Sequence, residues 1–358
     1  MLIVRSPVRI SFAGGGTDLP AFYEQYGGSV LSTAINKYFY TILGKRNDGR
    51  IQVISSDLRI FETWRDIATM DIRGSGLEIP LAVLKDLGRD LSVDLFLASE
   101  IPPGTGLGSS ASVCVNILKT LATYLQLSLS KYDLAERAFR VARYGLGRHV
   151  GKQDEYAAAY GGLNKITFRR DGTTEVEPLT LDSEFSQTFQ ESLMLFFTGA
   201  AHHSWSILEE QEKSTRAAGS SSVKALKQGA SLVTDMHAAL THSDLLRFGA
   251  FLDQAWQAKK RVSQKISSSR IDHLYQLARD NGALGGKITG AGGGGFLLLC
   301  CELEHQSQVR NAMAREGIRE MSFAFDFNGT QVIANDPFID GDGATGSRWT
   351  YVPVTVGG

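Results

Sequence analysis

The sequence predicts an α+β protein of two domains, residues 1–185 and 186–358. Two observations carry that prediction. The chain has 358 residues, 43% of them hydrophobic and 21% charged, which is enough for two buried cores. Short strand-like runs mixed with helices fill the chain to about residue 180. Beyond that point long helical patterns are closed by short apolar runs. No internal repeat is visible.

Taken in order, residues 2–12 alternate loosely and read as a strand ending in Gly14-Gly15-Gly16. Tyr38–Leu43 and Ile51–Ile54 read as strands joined by a turn at Asn47-Asp48-Gly49. Gly76–Leu87 reads as a helix, and Val93–Ala98 as a strand leading into Pro102-Pro103-Gly104-Thr105-Gly106-Leu107-Gly108-Ser109-Ser110. Val113, Ile117, Leu118, Leu121 and Leu125 then mark one side of a helix. Tyr132–Tyr144 is an amphipathic helix with Ser130 as its N-cap. A polar loop, 147–152, precedes a small-residue segment, 154–160, and a strand, Leu163–Phe168, with a turn at Asp171-Gly172. In the second half Leu193–Phe197, Gly295–Cys301 and Gln331–Ile333 read as strands. Ser204–Gln211 onward, Ser221–His242, Leu245–Lys260 and Ile271–Asn281 read as helices. Gly219-Ser220-Ser221-Ser222 reads as a mobile connection, and the glycine-rich segment from Asp336 as irregular.

Composition excludes several classes. A formal net charge of −1 supplies no basic stripe for nucleic acid. The longest apolar run, Phe296–Cys301, is too short to cross a bilayer, and residues 1–7 do not open a signal peptide. Cys114, Cys300 and Cys301 fit no disulfide or metal spacing, so a reducing, cytoplasmic setting is expected.

Three motifs carry the chemistry. In Pro102–Ser110 three glycines at alternate positions open onto a helix. Free N–H groups and the positive end of a helix dipole make such a start a phosphate site. No Gly-Lys-Ser/Thr follows, so this is not a Walker A loop. Near the N-terminus a strand carries Arg9, followed by Gly14-Gly15-Gly16-Thr17-Asp18. The Asp18 carboxylate suits either a polyhydroxyl ligand or the N-cap of a helix over Leu19–Tyr26. The third motif runs from Gly285 to Gly295. Gly290, Gly292 and Gly295 satisfy G-x-G-x-x-G, but Phe296–Cys301 reads as a strand, whereas a dinucleotide fingerprint must open a helix.

These segments, in this order, resemble the GHMP family of small-molecule kinases (galactokinase, homoserine, mevalonate and phosphomevalonate kinases). The resemblance rests on Pro7, Arg9, Thr17 and Asp18, on Pro102 through Ala111, and on Lys287 through Gly295. Gly151-Lys152-Gln153-Asp154-Glu155-Tyr156-Ala157, Trp256–Lys260 and Gly282–Lys287 look like its heptose 7-phosphate kinase branch, with L-fucokinases as relatives. The resemblance implies an N-terminal domain like ribosomal protein S5 domain 2 and a ferredoxin-like C-terminal domain. It implies ATP and Mg²⁺, with Pro103, Gly104, Thr105, Gly106, Leu107, Gly108, Ser109 and Ser110 around the nucleotide and Ser110 nearest the metal.

Asp154 is then the catalytic acceptor of a sugar hydroxyl proton, with Arg9 beside it. Gly15, Gly16, Thr17, Asp18 and Gly292 fall to the acceptor, and Lys152, Lys259 and Lys260 are candidates for its phosphate. The implied reaction is phosphorylation of D-glycero-D-manno-heptose 7-phosphate at the anomeric hydroxyl to the 1,7-bisphosphate, feeding nucleotide-activated heptose. Alternatives are a fucokinase-like or other hexose kinase and a non-catalytic nucleotide- and sugar-binding sensor. The expected partner is a sugar phosphate, with no nucleic acid or membrane; a homodimer stays open.

Two departures stand out. Many members of the family carry a glutamate, as a metal ligand, eleven or twelve residues before the catalytic aspartate. Here that stretch gives Ala142 and Arg143, with Glu136 two turns earlier. His202, with His203 beside it, stands where similar heptose kinases tend to have arginine.

Overall fold

The computed structural model describes residues 1–199, 204–216 and 219–336. Its first strand, β1 (Leu2–Ala13), sorts the molecule into two sides by simple alternation. Val8, Ile10 and Phe12 are buried among Leu195, Met236, Phe248 and Leu298 of the later half. Arg9, out of phase with them, lines a cleft.

After β1 come α1 (Pro20–Tyr26), β2 (Gly28–Lys45), β3 (Ile51–Ser55), β4 (Ile60–Trp64), α2 (Glu78–Leu87), β5 (Val93–Ser99), α3 (Ser109–Tyr124), α4 (Lys131–Arg140), α5 (Gln153–Tyr160), β6 (Leu163–Phe168) and β7 (Thr174–Pro178). The second half adds α6 (Ser183–Ser192), β8 (Leu193–Phe197), α7 (Ser204–Arg216), α8 (Ser221–Thr241), α9 (Leu245–Lys260), α10 (Ser269–Asp280), β9 (Ala283–Ile288), β10 (Phe296–Cys301), α11 (Leu303–Arg315) and β11 (Gln331–Asn335).

An eight-stranded sheet runs β11-β1-β2-β5-β3-β4, with β6 and then β7 continuing from β2. Helices α3 and α5 pack on β1 and β2, with α2 and α4 against α3. The smaller sheet, β8-β10-β9, carries α9, α10 and α11. Helices α8 and α9 also reach β1, so the apolar core is continuous between the two halves. β11 comes back from the far end of the chain to pair with β1. No helix among the described residues is long and apolar enough to cross a membrane.

Local chemistry explains several of these elements. Ser130 and Asp133 form a reciprocal capping box at the start of α4. The β1–β2 register slips between Pro7 and Val8, skipping Asn36 and Lys37, at the residue that has no amide to offer the ladder. Asn36 instead takes up the Ala324 backbone.

Two readings need correction. The turn at Asn47–Gly49 does not join neighbouring strands. β5 inserts between them, with Val93 opposite both Lys45 and Ile51, and Arg46 bridges Asp94 and Gln52 at 2.6 Å each. Ser220–Ser222 is a helix start, not a mobile connection. The Ser220 hydroxyl accepts from Val223 N at 3.2 Å, and the buried Ser222 hydroxyl donates to Val262 O at 3.0 Å.

Candidate active site

Strand β5 delivers the glycine–serine loop, and α3 starts at Ser109, directly after Gly108 in the left-handed region (φ +78°). The helix is bolted to β1 by the Ser112 hydroxyl, which donates to Pro7 O at 2.7 Å. Its N-terminus therefore faces a cavity of about 410 Å³ lined by residues from both halves of the chain.

Arg9 organises this wall. Its Nε and Nη2 donate to the two carboxylate oxygens of Asp154 at 2.7 and 2.9 Å, and its Nη1 donates to Gly106 O at 2.7 Å. One guanidinium thus fixes both the aspartate and the glycine–serine loop in a fork geometry that lysine cannot copy. A Cβ at Gly108 would lie 3.1 Å from Asp154 Oδ2, so the carboxylate lies against the α3 N-terminus.

Asp18 is buried and lines the same cavity. It does not cap α1. It accepts from Gly16 N at 2.8 Å and Gln153 N at 3.2 Å. Burial first, then the charge of Asp154, raises its pKa above the ordinary carboxylate value. Gly151 must be glycine here, since its Cβ would fall 1.9 Å from Asp18 Oδ2.

Lys259 reaches the cavity from α9 and donates to Gly290 O. Burial and the repulsion of Arg9 draw its pKa down to about 7, against the opposing pull of Asp18 and Asp154. Lys260, one residue on, points outward to Asp272 at 3.2 Å.

The third glycine motif shapes the cavity by gripping the glycine–serine loop. A Cβ on Gly290 would lie 2.5 Å from Gly106 Cα, and one on Gly295 would lie 2.3 Å from Thr105 O. Only backbone fits between these loops. Phe296–Cys301 is a strand, which removes the dinucleotide reading of that motif.

The structure brings Arg9, Gly15, Gly16, Asp18, Pro103, Gly104, Gly106, Gly108, Ser109, Ser110, Asp154 and Lys259 to one cavity. Besides Lys260, five expected site residues do not line it. Lys152 is 3% exposed and turned inward, donating to Glu136 Oε1 and Gly172 O at 2.6 Å each. Thr17 donates to Ser29 O at 2.9 Å, which ties the triple-glycine turn to β2. Thr105 donates to Pro102 O at 3.0 Å, closing the loop on itself. Leu107 is buried, and its carbonyl accepts from Arg9 N. Gly292 backs onto Ile266. His202 and His203 lie outside the described residues.

The residues around the expected glutamate position are spoken for. Ala142 lines the cavity but has no side-chain oxygen, and its carbonyl accepts from Arg148 N at 3.1 Å. Arg143 points to Glu212 of α7 through two bonds of 2.7 and 2.8 Å. His149 and Arg216 complete that cluster at 2.7 and 2.9 Å. Burial alone would raise the Glu212 pKa, but these three partners outweigh it and hold it at about 2. Glu136 is taken by Lys152 and by the Tyr156 hydroxyl, at 2.6 Å each.

Sequence reasoning missed several cavity residues, Gln211 and Glu155 among them. Gln211 of α7 faces the cavity, and its Nε2 has no hydrogen-bond partner among the described residues. Glu155 is 2% exposed, and its Oε2 likewise has no such partner. An acid in a helix's first turn reads as dipole compensation, so Glu155 gave no signal beside Asp154.

The cavity pairs a helix N-terminus suited to phosphates with an arginine-held carboxylate, and its free donors toward a metal are oxygens, which suit Mg²⁺. Residues 78–162 match the GHMP kinases N terminal domain, and residues 236–319 match the GHMP kinases C terminal domain. The chain is 30% identical, over 91% of its length and 97% of the relative's, to D-glycero-alpha-D-manno-heptose 7-phosphate kinase of Campylobacter jejuni. It is 26% identical to the L-fucokinase/L-fucose-1-P guanylyltransferase of Bacteroides fragilis, over 86% of this chain and 35% of that protein. The crystal structure of a D-glycero-D-manno-heptose 1-phosphate kinase from Bacteroides thetaiotaomicron superposes with a TM-score of 0.78 at 26% identity, covering 94% of this chain and 100% of the other.

The fold and the site define an ATP-dependent phosphotransferase with the two-domain GHMP kinase architecture. The chain belongs to the GHMP kinase family.

Proposed function

We propose that this kinase transfers the γ-phosphoryl group of ATP to the anomeric hydroxyl of D-glycero-D-manno-heptose 7-phosphate, giving the 1,7-bisphosphate. The observation that carries the reading is the Arg9–Asp154 fork lying against the α3 N-terminus, in the same cavity as Asp18. Phosphoryl transfer needs alignment and charge neutralisation more than covalent help. The 103–110 loop and the first turn of α3 supply N–H donors for the nucleotide phosphates. Asp18 orients the sugar hydroxyls, and Asp154 takes the proton of the attacking one. Asp154 aligns that hydroxyl for attack and accepts its proton in the course of the transfer.

Ser110 is the hydroxyl that would hold Mg²⁺, which when bound offsets phosphate charge. Lys259 is the cation we assign to the acceptor's anion. The heptose acceptor is supported by the Campylobacter relative, whose length the chain spans almost entirely.

A second reading, a fucokinase-like kinase of free sugars, draws on the Bacteroides fragilis relative and on one structural fact. With Lys152 turned inward, one cation fewer is on offer for a second phosphate. An ATP-consumption screen over heptose 7-phosphate, L-fucose, galactose and mevalonate separates the readings. Turnover with the heptose phosphate supports the first, and turnover only with free sugars supports the second. Nucleotide binding without turnover on any of them points to a non-catalytic sensor.

A further inference from the structure

A nucleotide's phosphates bring several negative charges into a cavity lined, among the described residues, by four acids and three cations. The acids are Asp18, Glu78, Asp154 and Glu155, and the cations are Arg9, Arg148 and Lys259. Two of the cations are committed. Each nitrogen of the Arg9 guanidinium donates to Asp154 or to Gly106 O, and Lys259 donates to Gly290 O. Arg148 is held loosely. Its guanidinium meets Glu78 at 3.5 Å, and its side chain is 29% exposed. A strong charge-assisted hydrogen bond is shorter, about 2.7–2.9 Å. Glu78 can let go, because it lies in the first turn of α2, where the helix dipole favours an acid without a partner.

The backbone fixes where Arg148 stands. A π turn over Val141–Gly145, closed by Leu146 N donating to Val141 O at 2.9 Å, takes the chain out of α4. Such turns recur at functional sites. Arg148 N then bonds back to Ala142 O, which sets the arginine beside the position where the family resemblance implies a glutamate. Ser110 and Cys114, one turn apart on α3, line the same cavity. Burial pushes the Cys114 thiol pKa up and the charges of Glu155 and Asp86 add to that, while Arg148 is close enough to pull against them. The guanidinium is thus in electrostatic range of the α3 face that leads to the phosphate site.

We propose that Arg148 is a phosphate-binding residue of this cavity, exchanging Glu78 for oxygens beyond the α-phosphate when the nucleotide binds. The inference rests on the phosphotransfer reading above. A guanidinium there places positive charge directly on the phosphate tail, next to the wall where Ala142 offers no carboxylate to a metal.

The probes are AMP and a non-hydrolysable ATP analogue, titrated calorimetrically into the full chain with Mg²⁺ present. Arg148→Gln should weaken the ATP analogue roughly tenfold or more, the size of a lost charge-assisted contact, and leave AMP within about twofold of wild type. An analogue affinity within about twofold of wild type overturns the proposal and leaves the kinase reading standing. Equal losses for the two nucleotides also overturn it, because they mark a disturbed cavity and not a lost grip on the phosphate tail. A wild-type chain that binds neither nucleotide overturns both readings. If Arg148→Gln fails to fold, Arg148→Lys decides. Lysine keeps the charge without the two-pronged grip, so the analogue should still lose several-fold while AMP holds, and an unchanged analogue affinity rejects the role.

Discussion

Gly290 and Gly106 meet backbone to backbone, with the Cβ position of one 2.5 Å from the Cα of the other. The contact joins the loop after β9 to the loop before α3, so the two glycine motifs form one wall. Phe296 N donates to Thr105 O beside it, extending the junction into β10. The glycine–serine loop is therefore held from the small sheet as well as from Arg9.

Gly290→Ala should act through that junction. The residue has φ +66°, so alanine carries backbone strain as well as the clash, and the combined cost is about 1–3 kcal/mol. Gly317→Ala is the control, with φ +73° and nothing within 4 Å of the added methyl. Both variants should lower the melting temperature, but only Gly290→Ala should raise the KM for ATP. Equal ATP KM values in the two would show that the junction does not shape the nucleotide site.

Asp154→Asn removes the charge and keeps the size. We expect kcat to fall by roughly a hundredfold or more, the range for losing a positioned base, with nucleotide affinity retained. The variant also leaves Arg9, almost fully buried, without a counter-charge, so its melting temperature should drop. Near-normal turnover would remove the proton-acceptor role and leave Asp154 as an anchor for Arg9.

Lys152 makes the opposite case. Its ammonium pairs with Glu136 at 2.6 Å inside the first domain and sits near the rings of Tyr23 and Phe139. Lys152→Met leaves Glu136 half-stranded and should cost about 3 kcal/mol, part of which Glu136→Leu restores in the double variant. The KM for the acceptor should hardly move in the folded fraction. A raised acceptor KM with an unchanged melting temperature would return Lys152 to the substrate site.

The sequence exposed those parts of the molecule that obey local rules. The capped helix at Ser130, the alternating β1 and β5, and the glycine–serine loop all follow from spacing. So does the strand after Gly295, which excluded the dinucleotide reading. Other elements lack such signals. β9 reads Ala-Leu-Gly-Gly-Lys-Ile, whose glycines disguise a strand that needs them to let Gly249 O and Leu298 O approach. β7 is a polar edge strand, and α11 is mostly polar with only four buried residues, so neither has a strong pattern. Cavity membership was legible for Arg9, Asp18, Ser110 and Asp154 because they sit in motifs. The direction of Lys152 and the burial of Lys259 and Glu155 were not, because long side chains on neighbouring residues diverge according to tertiary packing.

Lys259 offers a test by pH alone. Its pKa is drawn from the ordinary 10.5 to about 7, so in the free enzyme it is charged below pH 7 and neutral above. Since kcat/KM reports free-enzyme ionisations, it should fall as pH rises through about 7, by up to tenfold per unit if only the charged form captures the anion. A bound phosphate favours the ammonium, so the corresponding limb in kcat should lie at higher pH. Lys259→Arg keeps its charge throughout and should lose the limb. Lys259→Met should be weak and flat. Stability follows the same ionisation with the sign set by proton uptake. Between about pH 7 and 10.5 the unfolded chain holds the Lys259 proton that the folded chain has released, so wild type should gain stability relative to Lys259→Met as pH rises through that window. An alkaline limb shared equally by wild type and Lys259→Met would assign the ionisation to another group and take Lys259 out of the acceptor site.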